Sequence, residues 1–374
     1  MTRKLRIGIV FGGRSGEHEV SVASARSIMG AINREQYDIV PIAIARTGQW
    51  LAGVEPQALM APGDSAPTSE ASSASAALEM SGFALLPQVQ RPLAGGHSLA
   101  DVDVIFSALH GTYGEDGALQ GMLEMAGLPY VGCGVLGSAL GMDKEKAKII
   151  FQAAGLRTVP GVVVQRRDFE QDAEGSLRQI AAAFGYPVFV KPANLGSSVG
   201  VSKAHDVAEL HAALTLAARY DRKIIVERAI NCREVECAVL GNDDPHASVV
   251  GEIVPSKEFY DYEAKYLDGA SQLIIPAPIP DATAADIRRM SVAAFRALDL
   301  SGLARVDFFL DRDTGEVYLN EVNTLPGFTA ISMYPKLWEA SGLPYPQLID
   351  RLIELALERH ADCIRNETGL HDMA

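Results

Sequence analysis

The sequence predicts a mixed architecture: an N-terminal α/β domain with an open parallel sheet, followed by a pair of α+β domains. Three observations carry this expectation. The chain has 374 residues, more than one hydrophobic core ordinarily supports. Its first part alternates short apolar runs with helical ones, the rhythm of β-loop-α units. After Gly141 the texture changes, and strands separated by helices and Gly-rich loops follow without that regular alternation. Boundaries near Gly141 and Ala229 give expected domains over 1–141, 142–229 and 230–374.

In chain order, "LRIGIVFGG" reads as a buried strand, "RSGEHE" as a turn and "VSVASARSIMGAI" as a helix with small residues and apolar spacing. "YDIVPIAIA" is a second strand. Pro62 to Ala77, a Ser/Ala/Pro segment of low complexity, is expected to be a surface loop without chemistry. "VDVIFSALHG" is a third strand, followed by the loop "TYGEDG", the helix "ALQGMLEMAG" and a short strand "LPYVG". In such a parallel sheet, ligand loops belong at the carboxyl ends of the strands. Beyond "MDKEKAKIIFQAAGL", strands are expected in "GYPVFVKPA", "KIIVERAI", "REVECAVLG" and "LARVDFFLD".

Composition removes several function classes. A formal net charge of −14 argues against nucleic-acid or anionic-membrane surfaces, which require a basic footprint. Any bound anion must therefore be held by local lysines, arginines and backbone amides. The four cysteines form no CxxC pair and no Cys/His metal spacing, so they read as reduced thiols of a cytoplasmic protein. The apolar run near the N-terminus is short and is followed at once by charge, so it reads as a strand and not as a signal peptide. No window approaches the roughly 20 apolar residues of a membrane span.

The chemistry concentrates in a few segments. In "YLNEVNTLPGFT", period-2 alternation puts Glu321 and Asn323 on one strand face. If "LARVDFFLD" and "EVYLNEVN" form a hairpin across "RDTGE", a register pairing Asp311 with Val317 sets Asp307 opposite Glu321, with Arg305 beside them. Two carboxylates and a carboxamide suit Mg²⁺ when phosphates and water complete the octahedron; a solvated polar face on an edge hairpin is the alternative. "VKPANLGSSVGVSK" carries Lys191 out of a strand into a loop with Gly196, Ser197, Ser198 and Gly200, where backbone N–H groups and hydroxyls can approach phosphate. A plain hairpin connection is the alternative there, and neither GxxxxGK[ST] nor GxGxxG occurs. Lys144 in "GMDKEKAK" is a weaker candidate. Glu227 and Glu234 stand where carboxylates after a strand can accept bonds from an adenine amino group or ribose hydroxyls.

Taken in order, "GGRSGEHEVS", "LHGTYGEDG", "GMDKEKAK", "VKPANLGSSVGVSK", "EFYDYEAKY", "ARVDFFL" and "NEVNTLPGFT" make the chain resemble the ATP-grasp superfamily and, within it, the D-alanine:D-alanine ligases. That resemblance covers nearly the whole chain. It implies a three-domain cytoplasmic homodimer whose ATP-grasp pair of α+β domains sandwiches the nucleotide, joining two D-alanines through a D-alanyl phosphate for peptidoglycan synthesis. By the same resemblance, Lys144, Lys191 and Ser198 serve the phosphates, and Glu227, Glu234 and the lid residue Lys265 complete the ATP site. Asp307, Glu321 and Asn323 hold Mg²⁺ or Mn²⁺, with two metal ions in all. Glu17 meets the ammonium of the first D-alanine; Ser332, with Met333 beside it, meets the carboxylate of the second. His110 lies in the other wall of that cleft. Tyr266 of the lid joins Ser197 and Glu17 in a hydrogen-bonded triad, while Arg305 and the backbone N–H of Gly327 stabilise the tetrahedral oxyanion. The alternatives are a D-alanine:D-lactate ligase, from which Tyr266 argues away, another ATP-grasp carboxylate-amine ligase, and a non-catalytic nucleotide sensor, which would be expected to have lost metal ligands.

Overall fold

In this computed structural model, residues 3–54, 56, 102–255 and 272–367 are described. Pro62 to Ala77, Lys265 and Tyr266 lie outside them. Strand β1 (Leu5–Gly12) is apolar along its length because both its faces are covered: Ile7, Ile9 and Phe11 enter one core cluster and Val10 another. Helix α1 (His18–Ala31) packs Val22, Ala25 and Ile28 against it. Strands β2 (Tyr37–Ile44), β3 (Trp50–Ala52) and β4 (Val104–Ser107) complete a sheet of order β3-β2-β1-β4, parallel except for the edge strand β3. The expected strand "LPYVG" shrinks to one bridge between Tyr130 and Ile105, since the chain turns away at Gly132, where φ is +106°. Helices α2 (Ala118–Met125) and α3 (Val135–Met142) follow.

Asp143 then caps α4 (Lys144–Ala153), its carboxylate accepting from the Lys146 N–H. This helix leads into a second sheet, built of β5 (Gly161–Gln165), β6 (Val188–Pro192), β7 (Ser202–Ala204) and β8 (Lys223–Arg228) in the order β5-β8-β6-β7, all antiparallel. Val188, Val190, Ile224 and Val226 face helical residues Ile180, Leu210 and Leu214 in a core of their own.

The third sheet has the order β11-β10-β9-β12-β13, from β9 (Cys232–Gly241), β10 (His246–Val254), β11 (Gln272–Ile274), β12 (Gly302–Asp311) and β13 (Val317–Asn323). On one face Val235, Cys237, Val239, Val306 and Phe308 pack against the helix Asp281–Ala297 through Ile287, Ala294 and Phe295. On the other face chemistry changes along the strands. Ala238, Leu240 and Leu303 join the core shared with β1 and the C-terminal helix Tyr345–Cys363, whereas Glu234, Glu236 and Asp307 turn to an open cleft, with Arg305 paired to the last two.

The hairpin register differs from expectation at its turn end: Leu310, not Asp311, pairs with Val317. A bulge then absorbs Asn320, because Phe308 pairs with Leu319 and Asp307 with Glu321. The bulge restores the carboxylate pairing anticipated from a regular hairpin, and it sends both Asn320 and Glu321 toward the cleft.

Gly12 ends β1 with φ of +91°, and a Cβ there would lie 2.2 Å from the Ile44 carbonyl oxygen. The Gly12 N–H is held by Ser21 Oγ at 2.8 Å, which fixes the turn leading to Glu17. Gly12→Ala is expected to destabilise the protein by about 2 kcal/mol or more through the backbone clash and the left-handed φ. A urea midpoint equal to wild type would show that the turn relaxes without cost.

Candidate active site

The cleft lies between β6 and the sheet of β9, β12 and β13, with the loop after β6 and the start of α4 completing its wall. Register alone builds its acidic floor. Asp307 pairs with Glu236 on one side and Glu321 on the other, so three carboxylates stand in a row across three strands. Arg305 offsets their repulsion. Its Nε lies 2.7 Å from Asp307 Oδ1 and 2.9 Å from Glu236 Oε2, and its second guanidinium nitrogen donates to Asp307 Oδ2 at 2.8 Å. Asn323 Nδ2 also donates to Asp307 Oδ2, at 2.9 Å.

Two lysines face this floor. Lys144, the first residue of α4, places Nζ 3.3 Å from Glu321 Oε2 and donates to the Leu195 carbonyl at 2.8 Å. Lys191 leaves β6 with Nζ 2.7 Å from Glu227 Oε2 and 3.3 Å from Asn320 Oδ1. Lys148, a turn beyond Lys144, lies 2.6 Å from the other oxygen of Glu227. Glu227 is 1% exposed and does not line the cleft, whereas Glu234 does. Burial pushes the Glu227 carboxyl up, but the two lysines outweigh it and lower the pKa to about 2. Lys148 is pushed below its ordinary value by burial and by the neighbouring Lys191, while Glu227 carries Lys191 above its own despite burial.

At one end of the cleft, Glu17 crosses from the first sheet's loop to the second. It occupies the N-cap position of α1, yet its side chain makes no cap; its carboxylate accepts from Ser197 Oγ. Gly111 permits this approach, since a Cβ there would lie 2.5 Å from Glu17 Oε2. Ser197 and Ser198 both have left-handed backbones, φ of 52° and 57°, and both line the cleft.

His110 is buried behind this end. Its Nδ1 lies 3.0 Å from the Leu325 carbonyl, which only accepts, so Nδ1 carries a hydrogen. The same atom is 3.4 Å from Glu115 Oε1, and Nε2 is 3.1 Å from Ser24 Oγ. Burial raises the Glu115 pKa; Glu115 in turn raises that of His110 against its burial. Ser332 Oγ accepts from the Thr329 N–H at 3.0 Å and lies near Gly327, whose Cβ position is 3.3 Å from it. Met333 is buried in the core shared by the first and third sheets.

The structure thus brings Lys144, Lys191, Ser197, Ser198, Glu234, Asp307, Glu321 and Asn323 to one cleft. Glu115, Glu236 and Asn320 line the same cleft, and Lys148 lies behind it against Glu227; the sequence reading singled out none of these four residues. Spacing could have revealed Glu236, two residues after Glu234 on the same strand face. Asn320 could not have been found without the bulge. Among the described residues no group of three or more His, Cys, Asp or Glu is arranged to hold a metal by itself. Asp307, Glu321 and Asn323 instead form a partial oxygen set, which fits a cation completed by phosphate oxygens and water.

Comparison with known proteins gives concordant matches. The family profile described as "D-ala D-ala ligase N-terminus" matches residues 6–133, and that described as "D-ala D-ala ligase C-terminus" matches residues 150–354. The chain is 51% identical to the D-alanine–D-alanine ligase of Acetivibrio thermocellus, covering 98% of this chain and 99% of the relative. With that of Geobacillus kaustophilus, identity is 50% over 96% of each. Among solved structures, the D-alanine-D-alanine ligase from Coxiella burnetii aligns with a TM-score of 0.76 at 35% identity, over 97% of this chain and 98% of that one. The VanG D-Ala:D-Ser ligase from Enterococcus faecalis aligns with 0.78 at 36%, over 95% and 100%.

The Glu227 cluster makes a pH-dependent contribution to stability. A carboxyl whose folded pKa is about 2, against an ordinary 4.5, contributes fully above the ordinary value and loses that contribution as pH falls toward 2. The stability gap between wild type and Glu227→Gln is therefore expected to be largest above about pH 5 and to narrow by on the order of 3 kcal/mol by pH 2. Denaturant titrations across that range check it; a gap independent of pH would mean that Glu227 is not held ionised by the lysines.

Proposed function

The chain belongs to the D-alanine–D-alanine ligase family, and on that premise we propose that it joins two D-alanines, at the expense of ATP, in the cleft between its second and third sheets. The observation that carries the site assignment is the convergence there of two lysines, a row of strand carboxylates and a Gly/Ser loop bridged to Glu17.

The chemistry follows from the inertness of a carboxylate toward amines. The carboxylate of the first D-alanine attacks the γ-phosphorus of ATP, giving D-alanyl phosphate and ADP. The amine of the second D-alanine then attacks the acyl carbon, and phosphate leaves. Lys144, Lys191 and the N–H groups around Ser198 bind the phosphates and offset charge spreading over the transferred group. Glu234 serves the ribose. Glu227, held beneath the cleft by both its lysines, supports the nucleotide side through Lys191. Asp307, Glu321 and Asn323 would hold Mg²⁺ or Mn²⁺, in a site for up to two ions, and a cation held there would supply positive charge to the transferred group.

Glu17 receives the ammonium of the first D-alanine, with Ser197 fixing the orientation of its carboxylate. Ser332 binds the carboxylate of the second, and its hydroxyl is pre-oriented by Thr329 Oγ1 at 2.8 Å. Arg305 and the Gly327 N–H stabilise the tetrahedral oxyanion, Arg305 being fixed for that task by Asp307 and Glu236. His110 and Glu115 form the polar wall behind the second subsite. Tyr266 and Lys265 would close over it. A cytoplasmic homodimer is part of the same proposal; among the described residues no helix is long and apolar enough to cross a membrane.

The test is ADP release with amino acids offered singly and in pairs, alongside D-serine and D-lactate as second substrates. D-alanine-dependent ADP release with a dipeptide product is expected, and activity with L-amino acids alone would sink the reading. Glu321→Gln keeps the side chain's shape but removes a charge beside Lys144 and the metal position. It should retain the fold while losing turnover by about 10² or more. Unimpaired turnover at ordinary Mg²⁺ would return Glu321 to the status of a solvated surface acid.

A further inference from the structure

Lys148 touches neither the cleft nor any residue given to amino-acid binding, yet it is a buried lysine, 6% exposed, and burying a cation is costly unless a partner requires it. Its partner is Glu227. That carboxylate is itself buried, with one oxygen 2.6 Å from Lys148 Nζ and the other 2.7 Å from Lys191 Nζ. We propose that Lys148 is a positioning residue for the nucleotide phosphates: by occupying one oxygen of Glu227, it leaves Lys191 on the other, anchored but not neutralised.

Charge counting gives the reason. A carboxylate paired with Lys191 alone would form a neutral buried pair, and the cleft would face an ammonium whose charge is cancelled from behind. With Lys148 added, the three groups carry one net positive charge, and Lys191 is the member that lines the cleft. Geometry adds a second effect. Lys144 and Lys148 lie four residues apart on α4, so a tie from Lys148 to β8 through Glu227 fixes the helix that also delivers Lys144. Both cleft lysines are thereby registered against the same buried carboxylate. Lys191 has further support on the cleft side from the Phe309 and Phe189 rings, 5.8 and 6.0 Å from Nζ, but neither ring sets its charge.

This inference rests on the reading of the cleft as a nucleotide site, and the experiment separates the two. ADP binding is measured by titration calorimetry at fixed Mg²⁺ for wild type, Lys148→Met and the double variant Lys148→Met/Glu227→Gln, with melting temperatures and the KM values for ATP and D-alanine alongside. Lys148→Met is expected to bind ADP at least about tenfold more weakly and to raise the KM for ATP without moving that for D-alanine. In the double variant the buried opposite charges leave together, the Gln oxygen still accepts from Lys191, and ADP affinity should return to within about threefold of wild type. A purely structural lysine would lower the melting temperature and leave the two KM values in proportion. Wild-type ADP affinity in a folded Lys148→Met overturns the proposal, as does a double variant that binds as weakly as the single one. If Lys148→Met does not fold, Lys148→Gln, which keeps a donor toward Glu227 without the charge, is measured in its place by the same affinity criterion. Failure of wild type to bind ADP at all would overturn the nucleotide reading itself, and this inference with it.

Discussion

The alignment of Glu236, Asp307 and Glu321 across three neighbouring strands is the constraint to which the cleft answers. Side chains directly opposite each other in a sheet stand about 5 Å apart, where like charges repel by about 3 kcal/mol even at an effective dielectric near 20. The row persists because Arg305 reaches both Asp307 and Glu236, Asn323 donates to Asp307, and Lys144 lies against Glu321. Each of these partners comes from a different segment. The floor thus draws on β12 itself, on β13 and on the first residue of α4.

One sheet serves two purposes because period-2 alternation is applied to strands whose composition changes along their length. On the helix-facing side β9 is apolar from Val235 to Val239 and β12 from Ala304 to Leu310. On the opposite side Ala238, Leu240 and Leu303 seal against the N-terminal sheet and the C-terminal helix, while Glu234, Glu236, Arg305 and Asp307 are polar. The apolar half thus holds the N-terminal sheet in place, and with it Glu17, at a fixed distance along the strands from the acidic row. Phe328 strengthens that junction, with ring centroids 5.6 Å from Phe106 and 6.0 Å from Tyr334.

Much of this was legible in the sequence. The parallel start, the change of texture after Gly141 and the strands around Lys191, Glu227 and Asp307 follow from periodicity, which buried faces enforce strongly. The pairing of Asp307 with Glu321 was also legible, though for an incomplete reason: a regular register predicts it, and the actual hairpin reaches it through a one-residue offset at Leu310 and a compensating bulge at Asn320. Bulges leave no period to read, so Asn320 stayed hidden as a Lys191 partner. Lys148 was hidden for a different reason. On a helix, a lysine four residues from another usually faces water, and only the tertiary placement of Glu227 shows that this one does not.

The loop after β6 shows how a local irregularity becomes useful. Two successive serines with left-handed backbones are unfavourable, each by on the order of 1 kcal/mol, and glycine would relieve the strain. Glycine would also remove the hydroxyl by which Ser197 binds Glu17, the contact that joins this loop to the N-terminal sheet. The serine at 197 therefore exchanges some backbone stability for a tether between this loop and the N-terminal sheet. That tether acts on a loop whose Gly196, Ser197 and Ser198 line the cleft, so the positions of the loop and of the Glu17 carboxylate are coupled. A ligase that must bring a carboxylate to a phosphorus atom needs its cleft elements held in register, and a hydrogen bond between them does so more directly than separate packing of each sheet would.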